Sequence, residues 1–129
     1  MRAREPVFNV PGTVLAIVAV LGLIHAARSL LSPEDDAWLV YALAFIPARF
    51  QGYAAEFPGG GAATITSFMT HMLIHGDVTH LALNSAWLLA FGSPVARRFG
   101  TVRLLGFFAV TAAAGALAHL ITHPGERVV

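Results

Sequence analysis

The chain has 129 residues, of which 57% are hydrophobic and only 12% are charged, with a net charge of +1 and no cysteine. Charged residues make up about 25% of soluble proteins, so a water-soluble globule of this composition would expose a large apolar patch. The composition therefore predicts a membrane protein and excludes disulfides and cysteine catalysis within these residues, and the small net charge predicts no nucleic-acid partner.

The first predicted element is a transmembrane helix over residues 12–31. This stretch is apolar until His25 and Arg28, which lie near its far end, where a long side chain can reach the membrane interface. Residues 1–11 are predicted to be a cytoplasmic flank. We interpret the apolar stretch as a retained span because further apolar segments follow it and it lacks a clear Ala-x-Ala cleavage site.

A long connection, residues 32–76, follows the first span. It combines a polar turn at 32–36, an apolar run at 37–46 and a glycine-rich break at 58–61. An apolar run of this length is too short to cross a bilayer, which takes about 20 residues, so it is predicted to lie at the interface. A short helix is predicted over 65–75. The whole connection is expected to be an outer, membrane-associated loop.

The second predicted span covers residues 77–99. Asp77 follows a glycine and is a good N-cap for a helix that begins at Val78. Pro94 predicts a kink or a restart before the helix ends near Gly100.

The third predicted span covers residues 102–121, and residues 122–129 are predicted to begin another outer loop. Thr111, Gly115 and His119 follow one another at four-residue spacing. Small residues at such spacing allow close packing of helices in lipid, although an alanine-rich helix without specific contacts explains the pattern equally well.

The distribution of arginine predicts the orientation. Arg2 and Arg4 precede the first span, and three further arginines, Arg97, Arg98 and Arg103, lie where the second and third spans join. The long connection is acidic and carries Arg49 alone. The positive-inside rule therefore places the N-terminus and the 97–103 turn in the cytoplasm.

Polar side chains in apolar segments are costly and are therefore functional candidates. The notable set is His71, His75, His80 and Asn84. His80 and Asn84 are four residues apart and so project from one helix face. Two neutral donors near the outer side would suit an oxyanion that forms transiently in a reaction. Hydrogen bonding between helices explains the same spacing, and the alternative stays open.

His71 and His75 also stand four residues apart, which would suit zinc or haem. The nearby carboxylate, Asp77, is better explained as a helix cap, so no metal ligand and no cofactor are predicted. No role is predicted for His25, His119 and His123.

The spacing of His71, His75, His80 and Asn84, followed by an apolar run and the basic stretch 92–100, resembles the second transmembrane segment of rhomboid intramembrane serine proteases. The resemblance implies an all-α integral membrane fold with a six-helix core, of which this chain supplies the three helices of the first half. It implies that His80 and Asn84 donate to the oxyanion, and that His71 and His75 anchor the outer loop. It also implies transmembrane proteins as substrates and the bacterial inner membrane as the location.

The family's catalytic dyad is a Ser in a Gly-x-Ser-Gly motif on the fourth span and a His on the sixth. No Gly-x-Ser-Gly occurs in this sequence. The resemblance therefore implies an N-terminal portion that is inactive by itself, because donors without a nucleophile and base have no charge to stabilise. In addition, Ala96 stands where many relatives carry a carboxylate, which puts a cytoplasmic ion pair in doubt.

Two other hypotheses remain. The first is a non-catalytic rhomboid-like protein that binds transmembrane clients. The second is a small histidine-rich membrane protein that binds a metal or haem.

Overall fold

The computed structural model describes residues 9–127, and within this range the chain is helical and contains no strand. The α-helices are α1 (Gly12–Arg28), α2 (Pro33–Leu43), α3 (Gly60–Thr70), α4 (Val78–Trp87) and α5 (Ser93–Thr122). Short 3₁₀ helices cover Pro47–Gln51, Ala54–Glu56 and His71–Leu73, and a π-turn over Leu88–Gly92 joins α4 to α5. The all-α prediction is confirmed. Residues 1–8 and 128–129, which belong to the predicted cytoplasmic flank and final loop, lie outside the described range.

One helical run in the described range, Val78–Thr122, is long and apolar enough to cross a membrane. Gly100 interrupts this run with φ 82° and ψ 170°, a backbone conformation that essentially only glycine adopts. The chain reverses direction at Gly100, since residues before and after it lie side by side. His80 and Ala116 border the same cavity, and Ala96 packs with Leu104 in the core. The run is therefore a hairpin of two helical arms, residues 78–99 and 101–122.

Pro94 lies within the first arm without ending it. Proline lacks the N–H that the helix ladder needs, and its ring crowds the carbonyl one turn earlier. The helix widens into the π-turn Leu88–Gly92 immediately before this proline, which opens the ladder where the N–H is missing. The predicted disturbance at Pro94 is thus a π-turn, and the helix continues to the turn at Gly100.

Helix α1 packs against this hairpin. Val14 is buried together with Leu88, Ala96 and Leu104. A Cβ added to Gly92 would lie 2.7 Å from Leu88 Cδ1 and 3.8 Å from Val14 Cγ2, so α1 passes close to the π-turn.

The start of α1 lies beside the hairpin turn. The Oγ1 atoms of Thr13 and Thr101 are 2.6 Å apart, and Arg97 donates to the carbonyl of Asn9 at 2.6 Å. The start of α1 and the arginine-rich turn are therefore at the same end of the bundle.

Two predictions about the connection before α4 were wrong. The residues predicted as a polar turn, 32–36, begin helix α2, because the Ser32 hydroxyl accepts from the Asp35 N–H at 3.1 Å and Pro33 starts the helix. The helix predicted over 65–75 begins earlier, at Gly60, and its α-helical part ends at Thr70.

Arg49 holds this connection together. Its side chain is buried, and its guanidinium donates to the carbonyls of Tyr41 at 2.7 Å, Pro58 at 2.8 Å and Gly60 at 3.1 Å. The guanidinium also lies 5.2 Å from the centre of the Phe57 ring. Burial lowers the pKa of Arg49 from its usual value. One cation thus joins the end of α2 to the start of α3.

Large apolar side chains cover much of the outer surface. Examples that are more than two-thirds exposed are Leu23 (69%), Ile65 (76%), Val102 (82%), Val110 (68%) and Ile121 (71%). Such a surface is unfavourable in water and ordinary in lipid. This agrees with the composition.

Replacing Gly100 with alanine is expected to destabilise the hairpin by about 1–3 kcal/mol, since alanine would have to adopt a positive φ. The added Cβ would meet no atom within 4 Å, so the cost comes from the backbone alone. Thermal unfolding in detergent, followed by circular dichroism, measures the effect. Gly106→Ala is the control, because Gly106 also has no neighbour within 4 Å but lies in a helix. This variant should not destabilise the hairpin. Equal stability of both variants would contradict the assigned strain.

Candidate functional site

The segment that carries the predicted site turns sharply between α3 and α4. Asp77 caps α4, since its Oδ1 accepts from the backbone N–H of His80 at 2.8 Å. The predicted cap is confirmed. His80 therefore lies in the first turn of α4, and Asn84 lies one turn deeper.

The four predicted site residues border one cavity of about 660 Å³, formed between the hairpin arms. These residues are His71, His75, His80 and Asn84. The rest of its wall is mainly apolar and aromatic, including Trp87, Phe91, Phe107 and Phe108. His80 and Asn84 thus share a helix face that looks into this cavity. Their chemical role stays a prediction.

His75 is the most buried of these side chains, at 5% exposure. Its ring meets the His80 ring edge-to-face, with 5.1 Å between centroids. Burial, reinforced by His80, His25 and Arg28, holds the pKa of His75 below its usual 6.5. The imidazole is therefore mainly neutral at pH 7. Within residues 9–127, its buried Nδ1 has no hydrogen-bond partner.

His71 lies at the end of α3. Its Nδ1–H donates to the Ser67 carbonyl at 2.8 Å, which leaves Nε2 with the lone pair. The ring also packs against Phe45, 6.2 Å between centroids. In the described part of the chain, neither His71 nor His75 belongs to a group of three potential metal ligands.

Arg28 positions this segment from α1. It donates to Asp36 from Nε at 2.7 Å and from a terminal nitrogen at 3.1 Å, and its other terminal nitrogen donates to the His75 carbonyl at 2.8 Å. Its side chain is only 10% exposed. Arg28 therefore joins α1, α2 and the candidate site. Sequence spacing alone did not identify this contact.

The bond to Arg28, more than any other influence, holds the pKa of Asp36 below its usual 3.8. A carboxyl whose pKa is lowered by folding stabilises the folded state above pH 3.8. This contribution is lost as the pH falls through the lowered pKa. We expect Asp36→Asn to lower the melting temperature at pH 6 and the difference from wild type to shrink below about pH 3.8.

Melting curves in detergent between pH 6 and pH 3 test this expectation. The exposed Glu34, in the same helical turn, provides the control: Glu34→Gln should leave the melting temperature nearly unchanged. A constant Asp36→Asn difference over the whole range would argue against the assigned pH dependence.

A second histidine cluster, which sequence analysis missed, lies at the end of α5. His119, His123 and Glu126 each offer one potential ligand atom, and these atoms lie within 4.8 Å of one another. The His-x-x-x-His-x-x-Glu spacing was visible in the sequence, but it runs past the helix end, where helical periodicity does not apply. His119 and Glu126 also border a cavity of about 510 Å³, which His75 and His80 line as well.

The chain matches known proteins over these same residues. The family model described as the rhomboid domain matches residues 62–129, which include all four predicted site residues. The chain is 25% identical over 99 residues to the rhomboid protease GlpG of Haemophilus influenzae, covering 77% of this chain and 45% of that protein. It is 29% identical over 116 residues to rhomboid-like protein 15 of Arabidopsis thaliana, covering 87% of this chain and 25% of that protein. The chain thus spans less than half the length of either relative.

Proposed function

Because the chain belongs to the rhomboid family, we propose that it is the N-terminal part of an intramembrane serine protease that cleaves transmembrane proteins. The similar protein from H. influenzae is named a rhomboid protease, which supports the reaction class. The family predicted from residues 71–84 is confirmed. Activity, substrates and partners of the whole protein belong to the proposal.

The observation that carries the proposal is the shared position of His80 and Asn84 on one cavity wall. Hydrolysis of a peptide bond passes through a tetrahedral intermediate with a negative oxygen. An imidazole N–H and a carboxamide N–H that are fixed in advance stabilise this oxygen most strongly where water is scarce. The rest of the wall is mainly apolar, and the N-terminus of α4 beside His80 adds a favourable dipole. His80 and Asn84 are themselves exposed in the described residues, so we propose that the part of the family's length not covered by this chain excludes water from them.

His71 and His75 are proposed to position the outer connection. Support comes from the contacts of the two rings: His71 packs against Phe45 of the connection, and the buried His75 ring packs against His80 at the start of α4. The nucleophilic Ser and the basic His are assigned to the part of the family's length that this chain does not cover, because these 129 residues hold no Gly-x-Ser-Gly.

We further propose three spans: α1 and the hairpin arms 78–99 and 101–122. The bond from Arg97 to Asn9 places the start of α1 and the basic turn at one end of the bundle, which supports a common cytoplasmic side. The connection containing α2 and α3 would then lie on the outer side of a bacterial inner membrane.

Reading the genomic frame beyond codon 129 and expressing its product test the proposal. The full product should cleave a model transmembrane substrate and react with a serine-directed fluorophosphonate, whereas the 129-residue chain should do neither. A full product that retains a transmembrane client but neither cleaves it nor reacts with the probe would favour the non-catalytic alternative.

A further inference from the structure

We infer that the end of α5 carries a binding site for a zinc-class divalent metal ion, formed by His119, His123 and Glu126. Their potential ligand atoms lie within 4.8 Å of one another. Two imidazoles and one carboxylate form a typical ligand set for zinc sites that keep a fourth position open. The inference does not depend on the proposed protease function.

The helix end brings the three side chains together. The His119 and His123 rings stack with 4.9 Å between centroids, and His119 Nε2 lies 3.1 Å from Glu126 Oε2. The backbone N–H of Glu126 donates to the His123 carbonyl at 3.2 Å, which turns the chain back toward the helix. Metal–ligand bonds of about 2.0–2.2 Å place tetrahedral ligand atoms about 3.4 Å apart. Rotation of partly exposed side chains is therefore enough to close the site.

A neighbouring hydroxyl is compatible with the metal-binding tautomer of His123. Thr122 Oγ1 donates to the Ala118 carbonyl at 2.9 Å, so its lone pair can accept the Nδ1–H of His123 at 2.8 Å. The His123 Nε2 is then left with a free lone pair, which is the form that binds a metal. Such outer hydrogen bonds orient histidine ligands in most metal sites.

The backbone around Glu126 is held by the connection between α2 and α3. The Glu126 carbonyl accepts from the Ala48 N–H at 3.0 Å. Arg127 pairs with the Glu56 carboxylate and lies 4.4 Å from the centre of the Tyr53 ring. Arg127 pairs with Glu56 and so does not compete for the neighbouring Glu126 carboxylate, which is directed at His119.

The site is also accessible to an ion. The side chains of His119 and Glu126 are 40% and 34% exposed, and His123 is exposed as well. An ion can therefore enter without unfolding the helix end. It would lie at the edge of the smaller cavity, which His119 borders together with His80.

Titration of the chelator-treated chain in detergent tests the site, with Co²⁺ as the visible probe and Zn²⁺ as the competitor. We expect one ion per chain, tetrahedral cobalt bands, and at least tenfold weaker binding in His119→Ala, His123→Ala and Glu126→Gln. Glu126→Gln preserves size and should keep the wild-type circular dichroism spectrum. Zn²⁺ should raise the melting temperature of wild type but not of these variants.

His25→Ala serves as the matched control and should bind cobalt as wild type does, and His71→Ala, in the larger cavity, tests the alternative location. Cobalt binding that is lost in His71→Ala and kept in His119→Ala would move the site into the larger cavity and overturn the inference. Wild-type affinity in a folded Glu126→Gln variant would overturn it too. So would a chain that binds neither ion, which would leave His119 and Glu126 as an ion pair only.

Discussion

Replacing Arg49 with methionine is expected to lower the free energy of unfolding by about 3–5 kcal/mol, since a hydrogen bond from a charged group contributes about 1.5–3 kcal/mol. The change would remove three such bonds and leave the carbonyls of Tyr41, Pro58 and Gly60 without this donor. Local relaxation would let water reach some of these carbonyls, so the expected loss is below the full sum. The connection between α1 and α4 should become sensitive to proteinase K.

Two variants show whether the loss comes from this geometry. Arg49→Lys keeps the charge, but a single ammonium cannot reproduce the planar fork, so we expect an intermediate loss of stability. Arg103→Met removes an exposed arginine, and its effect should stay within about 0.5 kcal/mol. Proteolysis and melting in detergent would contradict the role of Arg49 if Arg49→Met behaved like Arg103→Met.

Features that depend on a few neighbouring residues could be predicted from the sequence. The Asp77 cap and the four-residue spacing placed His80 and Asn84 on one helix face, and the structure directs that face into a cavity. Gly100 ends the first hairpin arm near the predicted position, because its backbone conformation excludes other residues. Short-range rules suffice for such features since their causes lie within one or two helical turns.

Features that depend on distant segments were missed. Arg49 was interpreted only as a loop charge, although it bonds carbonyls that precede and follow it by several residues. Arg28 was interpreted only from its place at the end of the first span, and its bond to the His75 carbonyl, 47 residues away, was missed. A buried guanidinium is stabilised by whichever carbonyls the folded chain brings near it, and sequence patterns do not specify those carbonyls.

Replacing His80 or Asn84 with alanine is expected to lower turnover of the proposed full-length protease by roughly ten- to a thousand-fold, a range that includes the loss of about 10²–10³-fold typical of one oxyanion donor. Both donors would act on a charge that develops only in the transition state. The loss should therefore appear in kcat, with KM changed little. Cleavage of a model transmembrane substrate, measured at several substrate concentrations, separates the two constants. Thr79→Ala, exposed in the same turn and outside both cavities described above, is the control.

The double variant of His80 and Asn84 distinguishes catalysis from helix packing. If both side chains stabilise the same oxygen, the double variant should lose less activity than the product of the two single losses, because residues that act as a unit are not additive. If they instead hold helices together, the melting temperature should fall in parallel with activity. Full activity in both single variants, with wild-type melting, would reject the oxyanion assignment.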